Sequence, residues 1–220
     1  MSIKKFDSKK VRNGVIAEAS SSLISYPLST IKTNRQIGKT ISTASPVKLY
    51  KGVGWSLTAD SLAAVAFYTL FEGMPQLQDL NPFVRSFLAA TVSTTVAHPF
   101  STIRKNIQVG KTIKNVTLKT MTKGYKVHLM NTIPGVSTNF TIRHVVRPLV
   151  PPWGRPCVGI FSSACSLILT HPLDTFATRV ITNNKISFRK CLNFSGFKER
   201  FTEKMITLGS KMVILDNLDK

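Results

Sequence analysis

The sequence predicts an all-α membrane protein, with six transmembrane helices in three pseudo-threefold-related helix-pair repeats around a central cavity. Three observations predict it: Pro-centred segments recur in register, a glycine marker recurs with the same period, and the chain is unusually apolar for one so basic. Its 220 residues hold 30 Lys and Arg against 10 Asp and Glu, a formal charge of +20, with 43% hydrophobic residues and a mean hydropathy of +0.07. The charge suggests an anionic partner, whether nucleic acid, an acidic membrane surface or a negatively charged solute. A nucleic-acid module would carry its bases on a more polar chain, so charge and apolar content together favour a membrane protein and exclude nucleic acid as the expected partner.

The repeat is the strongest signal. Tyr26-Pro27-Leu28-Ser29-Thr30-Ile31-Lys32 is answered by His98-Pro99-Phe100-Ser101-Thr102-Ile103-Arg104 and by His171-Pro172-Leu173-Asp174-Thr175-Phe176-Ala177, with prolines 72 and 73 residues apart. Gly52, Gly124 and Gly196 recur at 72 and 72. Gln36-Ile37-Gly38-Lys39-Thr40-Ile41 returns 72 residues later as Gln108-Val109-Gly110-Lys111-Thr112-Ile113. Its Gly-Lys-Thr is not a phosphate loop, which needs a further glycine where Thr33 and Lys105 stand. Gly38 and Gly110 are expected instead to end helices as left-handed C′ residues, with a Lys near the negative end of the helix dipole. The period divides the chain into units 1–75, 76–147 and 148–220 of one domain.

Each unit reads as a long first helix, a short connection and a second helix. The first helices are expected at about 12–37, 84–109 and 156–183, with small residues such as Gly14, Ala17, Ala89, Ser93, Gly159 and Ser162 ahead of the proline. Small residues let membrane helices approach closely. Pro27, Pro99 and Pro172 should kink them, which a membrane protein tolerates where neighbours re-satisfy the backbone. Second helices are expected at about 54–72, 126–147 and 198–218. None of the six is an unbroken apolar run of the usual spanning length. Helices lining a watery cavity need only half an apolar surface, although a soluble helical repeat protein predicts similar hydropathy.

Cys157, Cys165 and Cys191 are odd in number and lack metal-ligand spacing, so neither a disulfide framework nor a metal site is expected. His98, His128, His144 and His171 have no recurring carboxylate or thiol partners, which argues against an enzyme and against a cofactor. The basic start, Met1 to Arg12, is not followed by a signal-type apolar run and reads as a mature amino terminus.

The Pro segments resemble the signature of the mitochondrial carrier family, Pro-x-[Asp/Glu]-x-x-[Lys/Arg], followed by an aromatic residue, a base and Gly. Leu49-Tyr50-Lys51-Gly52 and Lys123-Gly124 match that second element, and Gly196 alone marks it in the third unit. The resemblance covers essentially the whole chain. It implies a multi-pass transporter of the inner mitochondrial membrane, monomeric and in contact with lipid, cardiolipin included. The repeat is shorter than the family's, and the missing length lies between Pro and Gly, where the family has a matrix loop and a short surface helix. A minimal member with trimmed matrix connections is expected.

The same resemblance implies the functional residues. At the matrix gate the acid positions hold Ser29, Ser101 and Asp174 and the basic positions Lys32, Arg104 and Ala177. Asp174 with Lys32 is then the one complete pair, Ser29 is left to hydrogen-bond Arg104, and Ser101 meets Ala177. Gln36 and Gln108 occupy the family's brace position, which is Ile181 in the third unit. At the cytoplasmic gate Glu72 pairs with Arg147, and Asp216 falls on a third acid position. Substrate contacts align with Ala59-Asp60, Asn131-Thr132 and Glu203-Lys204. Asn131-Thr132 fits none of the family's patterns for nucleotides, amino acids or keto acids.

Arg200, Lys204 and Lys211 lie within about 40° of one another on a helix. Such a stripe cannot face lipid cheaply and is expected to line the cavity, with Arg143 and Arg179 as further bases. An anion bearing phosphates, a nucleotide foremost, is the expected substrate, and other organic anions remain open. Asp60 works against that picture by adding a carboxylate. The competing reading is a carrier-fold membrane protein without transport activity, serving a structural or signalling role.

Overall fold

A computed structural model describes residues 8–40, 45–74, 77, 79–112, 117–151, 154–182 and 196–218. Six long helices dominate these residues: α1 Ser8–Gln36, α2 Val53–Tyr68, α3 Pro82–Gln108, α4 Tyr125–Val146, α5 Arg155–Ile181 and α6 Phe197–Leu218. Their limits follow from local chemistry. The Asn81 side chain accepts from the Phe83 amide at 2.9 Å while Pro82 takes the first turn of α3, where its missing N–H costs nothing. Gly38 and Gly110 have φ of 78° and 82°. The Lys39 amide returns to the Asn34 carbonyl and the Lys111 amide to the Asn106 carbonyl, the six-to-one bond of a Schellman ending.

Two helices depart from the sequence reading. α1 starts four residues before position 12, since nothing in Ser8 to Val11 breaks a helix. α2 gives way after Tyr68 to a π-helical turn, Thr69–Gly73. That turn places Phe71 against Phe67 with ring centroids 5.3 Å apart, in a cluster with Phe140 of α4. Among the described residues between first and second helices stand single helical turns, Pro46–Leu49 and Leu118–Met121.

Neighbouring helices pack in chain order, α1 on α2, α2 on α3, α3 on α4, α4 on α5 and α5 on α6, and α6 packs back against α1. The six therefore close on themselves. Pro27, Pro99 and Pro172 lie inside continuous α1, α3 and α5. Glycines permit close approaches: a Cβ on Gly14 would stand 2.7 Å from the Tyr68 ring, and one on Gly135 would stand 3.0 Å from Thr170.

The distribution of polarity is inverted. Among the described residues thirty buried side chains are polar or charged and fifteen apolar, which no water-driven collapse would produce. On α3 the outward face is Phe83, Val84, Phe87, Leu88, Val92 and Val96, whereas Ser86, Ala89, Ser93, Ala97 and Ser101 are buried. α5 turns Ile160, Phe161, Ile168 and Leu169 outward and Ser162, Thr170 and Asp174 inward. Among the described residues one helix segment, Cys157–Ile181, is long and apolar enough by hydropathy to cross a membrane. The others fall short because their inward faces are polar, and their outward faces still suit hydrocarbon. A soluble helical repeat would face the other way.

Glycine substitutions test the packing. Gly38→Ala meets no atom within 4 Å and pays only for positive φ, about 1 kcal/mol. Gly124→Ala, also at positive φ, would set its Cβ 2.8 Å from Ile181, adding about 1–3 kcal/mol of overpacking. Thermal unfolding in detergent should therefore show the larger loss at Gly124.

Candidate functional site

Where the C-terminal halves of α1, α3 and α5 meet, one carboxylate holds several cations. Asp174, two residues past Pro172 and 7% exposed, has Lys32 Nζ at 3.9 Å, Arg200 Nε at 3.5 Å and Lys105 Nζ at 3.8 Å. Gln36 Nε2 donates to its Oδ2 at 2.9 Å. α1, α3 and α6 thus each send a cation to one acid of α5. Desolvating a carboxylate is expensive, so it persists only with several partners of this kind.

The arrangement differs from a single Lys32 and Asp174 pair. Lys32 lies nearer Glu203, at 3.0 Å, because α6 carries a second carboxylate into its reach. Arg35 pairs with Glu199 one turn earlier on α6. Lys105 escapes a reading of the signature because it stands one residue past the basic position. The usable sign was a lone Lys in a register that Thr33 and Thr178 otherwise occupy.

Arg104 corrects another expectation. It does not go to Ser29: its Nη1 donates to Ser56 Oγ at 2.9 Å and lies 3.7 Å from Asp60 Oδ1. A guanidinium removed from water gains more from a carboxylate than from a lone hydroxyl. Asp60 also accepts from Ser22 and, at 3.0 Å, from Ser56. Ser101 donates to the His98 carbonyl of its own helix, and Ala177 is fully buried.

Both glutamines lie between helices. Thr33 donates to Gln108 Oε1 at 3.1 Å, and Thr178 donates to Gln36 Oε1 at 2.9 Å. The residues before the first two signature prolines have a matching task. Tyr26 Oη donates to the Lys51 carbonyl at 2.8 Å, and His98 Nε2 lies 3.1 Å from the Lys123 carbonyl, each just ahead of a left-handed glycine. A His replaces a Tyr there because either can donate from the far edge of its ring.

The expected cationic stripe on α6 does not stay free. Arg200 is taken by Asp174 and Lys211 by Glu18 of α1, whereas no ion pair of Lys204 is seen among the described residues. Arg143 bonds Ser162 at 3.2 Å and Ser163 at 3.5 Å, and Arg179 Nε donates to the Gln36 carbonyl at 2.9 Å. Asn131 is buried with no hydrogen-bond partner for its Oδ1, and Thr132 is half-buried beside it on α4. The side chains of Glu72, Arg147 and Asp216 lie outside the described residues, as does Cys191. The lining that remains carries both signs of charge.

No protein-family model matches the chain. It is similar to the mitochondrial S-adenosylmethionine carrier proteins of Xenopus tropicalis, 25% identical over 72% of this chain and 69% of that protein, and of Mus musculus, 25% identical over 76% and 72%. The probable S-adenosylmethionine carrier 2, chloroplastic, of Arabidopsis thaliana is 24% identical over 76% of this chain and 55% of its own length.

A double-mutant cycle tests the Asp174 cluster. Asp174→Asn removes the acid that Lys105 and Arg200 share, and one of the two that Lys32 contacts, and should cost about 3–5 kcal/mol, read as lost thermal stability in detergent. Adding Lys105→Met should recover part of that loss by relieving repulsion; additive losses would show that Lys105 is not coupled to Asp174.

Proposed function

We propose that this chain, a member of the mitochondrial carrier family and so a multi-pass solute transporter of the inner mitochondrial membrane, carries an adenosyl compound bearing both signs of charge, of the S-adenosylmethionine type. The observation behind the substrate class is the fate of the α6 bases. A phosphate-rich nucleotide needs several uncommitted cations, and Arg200 and Lys211 are each held by a carboxylate. S-adenosylmethionine presents a sulfonium, an ammonium and a carboxylate, which ask for separate acid and base. Asp60 would receive a cationic group in competition with Arg104, Lys204 the carboxylate, and Asn131 Oδ1 an adenine amino hydrogen. The names of the relatives agree with that chemistry.

The transport unit is three helix pairs, 1–75, 76–147 and 148–220, about a central cavity. Its support is a contact that recurs. Gly52 at the start of α2 faces Ile107 of α3, Gly124 at the start of α4 faces Val180 and Ile181 of α5, and Gly196 before α6 faces the Lys32 carbonyl and Gln36 of α1. Each second helix thus begins against the following first helix, round the ring. Alternating access follows: the Asp174 cluster closes the matrix side, the prolines kink α1, α3 and α5, and Glu72 with Arg147 and Asp216 closes the other side. Substrate binding breaks one closure as the other forms, and a counter-substrate resets it.

Exchange in proteoliposomes decides among the readings. Labelled S-adenosylmethionine should exchange, ADP and ATP should stay at background, and Asp60→Asn or Lys204→Ala should each lower uptake at limiting substrate about tenfold or more, as for a lost charge-assisted contact. Exchange of nucleotides alone would restore the phosphate-bearing substrate. Correct insertion with no exchange of any of these solutes would favour a carrier fold retained for a structural or signalling role.

A further inference from the structure

The geometry points to Lys39 and Lys111, the lysines of the repeated Gly-Lys-Thr segment, as clasps that hold this end of the transporter shut by binding the C-terminal carbonyl of the neighbouring helix; the inference rests on the transport reading above. Lys39 Nζ donates to the Val109 carbonyl at 3.2 Å, and Lys111 Nζ donates to the Thr182 carbonyl. Val109 and Thr182 are the C-cap residues of α3 and α5. Their carbonyls belong to the last-turn oxygens that receive no helical N–H and carry the negative end of the macrodipole.

The sequence suggests that each lysine serves its own helix, but the Schellman ending carries it past that end. With Gly38 and Gly110 left-handed, the chain reverses over the helix terminus. The next residue then projects sideways, so α1 reaches α3 and α3 reaches α5. The corresponding positions after α5 are Asn183 and Asn184, which lie outside the described residues. The link from α5 to α1 comes instead from Arg179 Nε on the Gln36 carbonyl at 2.9 Å. Three cations therefore run round the three helix ends, each on the next helix's terminal carbonyls.

These contacts lie beyond the Asp174 layer and use no acid, so they supply closure where Ser29 and Ser101 provide none. They are positioning residues: they touch no substrate and act by favouring the closed arrangement. Lys39 is exposed and Lys111 half-buried in this arrangement, so parting the helix ends breaks each contact and leaves both partners to water, and the clasps weigh only on the closed side of the equilibrium.

A labelling experiment reads that equilibrium. Asn106→Cys serves as reporter in a chain with Cys157, Cys165 and Cys191 changed to Ser; Asn106 is 7% exposed and its side chain bonds the Thr102 carbonyl of its own helix. In lipid nanodiscs, Lys39→Met with Lys111→Met should speed reaction with a charged maleimide about tenfold. Each single change should give about threefold, and Lys39→Arg with Lys111→Arg should keep the parent rate. A rate within twofold of the parent in the Met variants, or equal acceleration in the Arg variants, overturns the clasp. The single variants keep the test if the double one does not fold. Labelling needs no solute: acceleration without exchange of any solute would remove the transport reading and leave the clasp, and exchange with unchanged labelling would do the reverse.

Discussion

Buried bases in this protein must share very few acids, and much of the interior is arranged around that shortage. With 30 Lys and Arg to 10 Asp and Glu, a cation withdrawn from water finds a private carboxylate only rarely. The structure uses three substitutes. One acid serves several bases, as Asp174 serves Lys32, Lys105 and Arg200. Hydroxyls also accept, as Ser162 and Ser163 do from Arg143. Helix-terminal carbonyls accept from others, as Gln36 does from Arg179, and Val109 accepts from the exposed Lys39 in the same way. Each is weaker than a dedicated buried pair, and each can be exchanged for water at modest cost.

That weakness suits the proposed transport cycle, in which the helices separate repeatedly. A closure made of several modest contacts can be undone by the binding energy of one small solute, whereas a ring of dedicated buried pairs would set a higher barrier. Stability comes instead from elements that need not break. The inverted polarity leaves the outer faces in hydrocarbon, and close approaches at Gly14 and Gly135 bind α1 to α2 and α4 to α5. In lipid, such packing at small residues does the work that water exclusion does elsewhere.

The two ends of the charge network also favour the proposed mixed-sign substrate over a polyanion. Every base on α6 that finds a carboxylate is lost to a phosphate, and each of those carboxylates is a competitor for the substrate's own cations. Asp60, held by Ser22, Ser56 and Arg104, is poised to trade one cation for another at little cost in desolvation.

The helices and their ends were legible in the sequence. Proline, glycine and small-residue spacing act locally, so α3 and α5 fall within two residues of expectation, and the left-handed endings at Gly38 and Gly110 follow from a residue's own freedom at positive φ. The membership of Asp174, Lys32, Gln36 and Gln108 in one neighbourhood was legible too, because a repeat places equivalent residues at equivalent depth. Which atoms pair was not. Lys105 reaches Asp174, Arg104 turns to Asp60, Glu203 competes for Lys32 and Lys211 is taken by Glu18. Those choices join helices up to 193 residues apart in the chain. A long side chain settles on whichever acceptor lies nearest once the backbone is packed, and only the tertiary structure decides that distance.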